Sequence, residues 1–228
     1  MKHTEEELKL LKNSLSEMWL LVAAQLGKSK DAFLNSDKDL ANEVICKEKR
    51  VDAFELKIDA DCENYIALYA PVAIDLRLVL SIIKISVTLE RIGDFAQSIA
   101  RHTLKGTNEK IDDTLIEEIE VSKMFEQVID MLSNCYNAFE NENVSLWSKI
   151  IAQDDTIDEI YRKAPDILGE YIRKRPDITS EALQLMVIIR KLERIGDHCS
   201  NIIEDLVFYV DAKVLKHSIQ KNIEKDNI

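Results

Sequence analysis

TLERIGDFAQSI at residues 88–99 and KLERIGDHCSNI at residues 191–202 decide the fold. The two stretches share L-E-R-I-G-D, and Glu90 and Glu193 lie 103 positions apart. Around the first copy, Leu78, Ile82, Ile85, Leu89, Ile92, Ala96 and Ile99 alternate spacings of four and three. Around the second, Leu185, Ile188, Leu192, Ile195, Cys199, Ile202, Leu206 and Tyr209 do the same. Apolar residues at that period form a stripe along one side of an α-helix, and the stripe must be buried against other helices.

The rest of the chain has the same texture. Turn signals near residues 35, 71, 106, 141 and 176 divide it into six segments, each with helical period. Only 5 Gly and 3 Pro occur in 228 residues, and 32% of the chain is charged, a composition suited to long helices with short connections. Short connections make neighbouring helices antiparallel. The expectation is an all-α chain of two tandem three-helix bundles, six long antiparallel helices related by internal duplication. The first bundle is expected over 1–107 and the second over 108–217, with a tail at 218–228. Each L-E-R-I-G-D then lies in the last helix of its bundle.

The net charge of −12 disfavours nucleic acid as a partner, because phosphate contacts need clustered Lys and Arg. It suits cations or a basic partner, although solubility alone also accounts for it. No apolar run is long enough to span a membrane, and the start of the chain lacks the apolar core of a signal peptide. Cys46, Cys62, Cys135 and Cys199 show no C-x-x-C spacing, which points to a reducing cytoplasm rather than a disulfide framework.

Glu90 and Asp94 stand off the apolar stripe one turn apart, so their carboxylates share a face; Glu193 and Asp197 repeat this. The second segment carries Glu48, Asp52, Glu55 and Asp59, and the fifth carries Asp154, Asp155, Asp158 and Glu159. If segments two and three pack together, and five and six, each bundle joins two acid-x-x-x-Asp pairs. Carboxylates with few imidazoles suit hard cations: magnesium, manganese and iron, with zinc as a further candidate. A solvated flank paired with Lys49, Arg50, Lys57, Arg91 and Arg194 is the alternative. Gly93 and Gly196 each cost roughly 1 kcal/mol in a helix interior, and either a close ligand or a close helix accounts for them. No Glu-x-x-His, phosphate loop or G-x-S-x-G occurs, so nothing in the sequence argues for an enzyme.

EKRVDAFELKIDADC, YAPVAIDLRLVLSIIKISVTLERIGDFAQSIAR and RKLERIGDHCSNIIEDLVFYV strongly resemble the PhoU family of phosphate-uptake regulators, over roughly residues 5–217. The resemblance implies two tandem three-helix bundles in a non-enzymatic cytoplasmic protein. It implies a negative regulator of the phosphate-starvation response, acting through the phosphate-transporter ATPase and the sensor histidine kinase, and a homodimer. It also implies multinuclear metal clusters on E/D-x-x-x-D motifs, which fall here on Glu48–Asp52, Glu90–Asp94, Asp154–Asp158 and Glu193–Asp197. Two features depart from the family pattern. Phe95 stands where a histidine is common, and RPDITSEAL (175–183) lacks the D-L-R of the first half. The second surface is therefore expected to meet a different partner. A metal-storing bundle and a purely structural adaptor are the competing readings.

Overall fold

The computed structural model describes residues 2–105 and 111–215, and among them every regular element is helical. The helices are α1 (Lys2–Asn35), α2 (Lys38–Tyr69), α3 (Ala73–Lys105), α4 (Asp113–Glu118), α5 (Val121–Glu140), α6 (Trp147–Lys174) and α7 (Thr179–Asp211), with a 3-10 turn at Pro176–Ile178. The expected boundary at 107–108 and the expected tail at 218–228 lie outside the described residues.

Local chemistry sets the ends. Asp37 caps α2 by accepting a 2.9 Å hydrogen bond from the Leu40 amide, and Ser36 before it takes a left-handed conformation. Ala70 ends α2 in the left-handed region, its amide bonded to the Ile66 carbonyl, and Pro71 follows where no helical amide is needed. One break differs from the sequence expectation. The fourth segment is two helices, because Glu120 adopts a φ of 63° between α4 and α5. No Gly or Pro marks that break. Leu115, Ile116, Ile119 and Val121 are buried on both sides of it, so packing rather than turn chemistry holds it.

The stripes read from the sequence are the core. Leu89, Ile92, Ala96 and Ile99 are fully buried, as are Leu192, Ile195, Cys199 and Ile202. Helices α1, α2 and α3 pack mutually, as do α5, α6 and α7. The two bundles also pack on one another, α3 against α7 and α1 against α5, and the buried side chains of both form one continuous cluster.

The contacts between halves are reciprocal. SEMWLLVAAQLGKSKDAFLN (16–35) aligns with SKMFEQVIDMLSNCYNAFEN (122–141) at an offset of 106, which equates Trp19 with Phe125 and Phe33 with Phe139. Trp19 stacks on Phe139 with ring centroids 5.9 Å apart, and Phe33 meets Phe125 at 5.9 Å. Residue i touches j while the copy of j touches the copy of i, which is the signature of a two-fold relation. On the other layer, Phe95 meets His198, its own equivalent at the offset of 103, at 5.6 Å. Helices α3 and α7 run antiparallel there. Arg77 Nε donates to the Tyr209 carbonyl at 3.1 Å, and Ser81 Oγ to that of Asp205 at 3.2 Å. Lys12 binds Glu142 at 2.6 Å, and Trp19 Nε1 donates to the Leu132 carbonyl at 3.2 Å. The chain is thus two copies of one bundle in a pseudo-two-fold arrangement, with α2 and α6 as its outer helices.

Loss of the α2 cap gives a modest test of this local picture. Asp37→Ala should lower folding stability by about 0.5–2 kcal/mol in urea titrations. An unchanged midpoint would show that the cap bond is replaced by water at no cost.

Candidate metal centres

Each half carries an acidic seam. In the first half it runs between α2 and α3. Gln97 Nε2 donates to Glu48 Oε2 at 3.0 Å, tying the two helices together. Burial pushes the Glu48 carboxyl up to about 7, helped by a hydrogen bond with Asp52 and by the charges of Asp52 and Asp94. Glu90 is also raised, first by burial, then by Asp94, with Glu55 and Asp52 adding to it against the opposing charge of Arg91. The seam therefore unites Glu48, Asp52, Glu90 and Asp94. Glu55 joins them, whereas Asp59 bears on Cys62 instead.

The second seam, between α6 and α7, repeats the arrangement. Ser200 Oγ donates to Asp154 Oδ2 at 2.7 Å, as Gln97 does to Glu48 at the equivalent place. Asp154 is pushed up to about 6, mainly by burial, then by Asp197, Asp158 and Asp155 against the Ser200 bond. Asp158 and Glu193 are raised by burial first and by Asp197 next. All eight acids singled out from the sequence fall on the two seams. Gln97 and Ser200 were missed, although both follow the Asp of L-E-R-I-G-D by three residues and so share its face.

The two glycines have different work. A Cβ on Gly196 would stand 2.5 Å from Asp154 Oδ1 and 3.2 Å from Ile157 Cδ1, so the missing side chain is the seat of the Asp154 carboxylate. A Cβ on Gly93 would stand 3.4 Å from Val51 Cγ1 and 3.5 Å from Gln25 Oε1, which is ordinary packing distance. Asp154 Oδ1 is buried without a hydrogen-bond partner.

Among the described residues no three His, Cys, Asp or Glu side chains already converge as a metal shell. The donor chemistry nevertheless fits a cation. Carboxylates held close enough to raise one another, with one buried oxygen lacking any donor, are stabilised by an oxygen-seeking positive ion. Glu48, Asp52, Glu90 and Asp94 would hold it in the first half, and Asp154, Asp158, Glu193 and Asp197 in the second. His198, beside Asp197, meets the Phe95 ring, and its pKa is lowered by burial and then by the charges of Arg194 and Arg91.

The raised acids set a pH dependence for the metal-free protein. Glu48 and Asp154 take up protons in the folded state at pH values where the unfolded chain has released them. Stability therefore falls as pH rises from about 4 through about 7. With chelator present, the midpoint temperature at pH 5.5 should exceed that at pH 8. The reverse order would mean that the acids are not crowded.

No helix among the described residues is long and apolar enough to cross a membrane. The family model described as PhoU domain matches residues 15–103 and again 121–206. A Thermotoga maritima protein named phosphate-specific transport system accessory protein PhoU homolog 1 is 32% identical over 218 residues, covering 96% of this chain and 93% of that protein. Escherichia coli K12 has a phosphate-specific transport system accessory protein PhoU that is 32% identical over 211 residues, covering 92% of this chain and 86% of that protein. The crystal structure of PhoU from Pseudomonas aeruginosa superposes with a TM-score of 0.83 at 31% identity, covering 92% of this chain and 99% of that one. The phosphate transport system regulatory protein PhoU from Streptococcus pneumoniae gives a TM-score of 0.80 at 27% identity, covering 92% and 98%.

Proposed function

This chain belongs to the PhoU family, and from that premise we propose that it is a cytoplasmic, metal-binding regulator of phosphate uptake. Its relatives are named as accessory proteins of phosphate-specific transport, which supports a regulatory rather than an enzymatic role. The proposed action is negative: the protein restrains the phosphate-starvation response through the phosphate-transporter ATPase and the sensor histidine kinase, as a homodimer. Four unpaired cysteines are in keeping with a cytoplasmic setting.

The observation that carries the metal part is the doubled acidic seam. Two independent sets of four carboxylates occupy equivalent places, each crowded enough to raise its own members. A surface evolved only for solubility has no reason to gather them, since like charges one turn apart repel by a few tenths of a kcal/mol.

The test is a combined variant, Glu90→Ala, Asp94→Ala, Glu193→Ala and Asp197→Ala. It should fold, lose metal by elemental analysis, and derepress a phosphate-starvation reporter. A stable variant with a fully repressed reporter would sink the metal-dependent regulation. A metal-storing bundle predicts metal loss with no reporter change and no capture of ATPase or kinase from cells. Absence of metal in the unsubstituted protein, purified without chelator, would favour a structural adaptor.

A further inference from the structure

The outer helices α2 and α6 are copies whose buried sides agree and whose solvent sides do not. At the offset of 106, Val51 matches Ile157, Ile58 matches Ala164 and Cys62 matches Leu168, and all six are buried. On the solvent side of α2, Ala53, Leu56, Ala60, Ala67 and Leu68 are all exposed, Leu56 by 67% and Leu68 by 75%. Their equivalents on α6 are Glu159, Arg162, Asp166, Arg173 and Lys174, which are exposed too and all charged. Single apolar residues on a surface are ordinary, whereas a contiguous apolar face marks a contact. Ala53, Leu56, Ala60 and Ala67 recur at the helix period and form one row. Three of these four are alanine, which lets another helix approach closely. Leu10 of α1, 57% exposed, lines the same groove as Leu68 and widens the apolar surface.

Resting on the homodimer reading above, we propose that this face of α2 docks on the same face of a second copy of the chain. The two helices run antiparallel across a two-fold axis at Ala60. Charge complementarity selects the occupant. Lys57 and Glu63 are both exposed and stand three residues to either side of Ala60. Antiparallel pairing about Ala60 sets Lys57 of one copy against Glu63 of the other, twice, and Ala53 against Ala67. Within one chain, Lys57 bonds Ser14 Oγ at 3.2 Å and stands 3.8 Å from Asp61, both at the surface. A residue on the axis meets its own copy, and alanine is small and uncharged enough to do so. On α6 the same crossing would set Asp166 against its own copy, and Gly169 stands where Lys163 would need an acid. The contact therefore belongs to the first half.

Sedimentation equilibrium of the full chain reads the mass and the dissociation constant. The unsubstituted chain should sediment as two copies. Leu56→Arg with Ala60→Asp, which copies the residues of α6, should sediment as one copy with unchanged helical content. Lys57→Glu and Glu63→Lys should each weaken association about tenfold or more, because each sets like charges opposite one another twice. The two charge changes together should restore it. A dimer that survives Leu56→Arg with Ala60→Asp overturns this surface and leaves the homodimer reading standing. Charge variants that weaken the dimer singly without rescue in combination overturn the antiparallel pairing. An unsubstituted chain that sediments as one copy at its highest soluble concentration overturns the homodimer reading and this surface with it.

Discussion

Trp19→Ala should cost about 3–5 kcal/mol of folding stability, the most of any single substitution considered for this chain. Trp19 is fully buried and belongs to the first half, yet its ring contacts and its indole hydrogen bond go to the second. Its ring stacks on Phe139 and tilts against Tyr136, and its Nε1 donates to the Leu132 carbonyl at 3.2 Å. Truncation leaves a cavity and an unpaired carbonyl at the place where α1 meets α5. The damage falls on the joint between halves, so the loss should appear as a less cooperative transition as well as a lower midpoint. Trp19→Phe, which copies Phe125 at the equivalent place, should lose much less. Urea unfolding followed by far-ultraviolet dichroism reads both quantities. A loss under about 1 kcal/mol would mean that the halves do not depend on one another for their cores.

Gly196→Ala should weaken cation binding in the second half by about 10- to 100-fold, the range found when a metal site loses its support. A methyl group there would stand 2.5 Å from Asp154 Oδ1, so the carboxylate must leave its seat and its bond from Ser200. The displaced group is the end of a side chain, and alanine is the better helix former by about 1 kcal/mol, so folding stability should change little. Gly93→Ala is the contrast. Its methyl group meets only ordinary contacts, so the metal-free protein should gain up to about 1 kcal/mol. Calorimetric titration with manganese on each seam separately, beside thermal melts, checks the pair. Unchanged affinity in Gly196→Ala would show that Asp154 binds nothing from that seat.

The helices and the acids were legible for a simple reason. A stripe such as Leu89, Ile92, Ala96 and Ile99 repeats at the helix period, and an acid pair offset from it has only one face to occupy. What the halves do to each other was not legible. A stripe says that a face is buried and does not name the face that covers it, so nothing in the sequence pairs Trp19 with Phe139. The break at Glu120 had no turn residue to announce it. Gln25 lies among apolar neighbours in α1, and no pattern in the sequence places its Oε1 against Gly93. The two glycines looked alike in sequence and differ in what stands against them, the Asp154 carboxylate and Ile157 at Gly196, and Val51, Gln25 and Val22 at Gly93.

Two identical chains meeting on an axis must accept every substitution twice. A residue at the centre faces its own copy, and a change that suits one side is imposed on the other. Joining the copies in one chain lifts that constraint. Phe95 can face His198 instead of a second phenylalanine or a second histidine, and Gln25 can diverge from Met131. The seams can drift apart in the acids they carry while the shared core holds the two halves together. Covalent fusion lets the two halves of this symmetric frame specialise separately without giving up the contacts that keep them together.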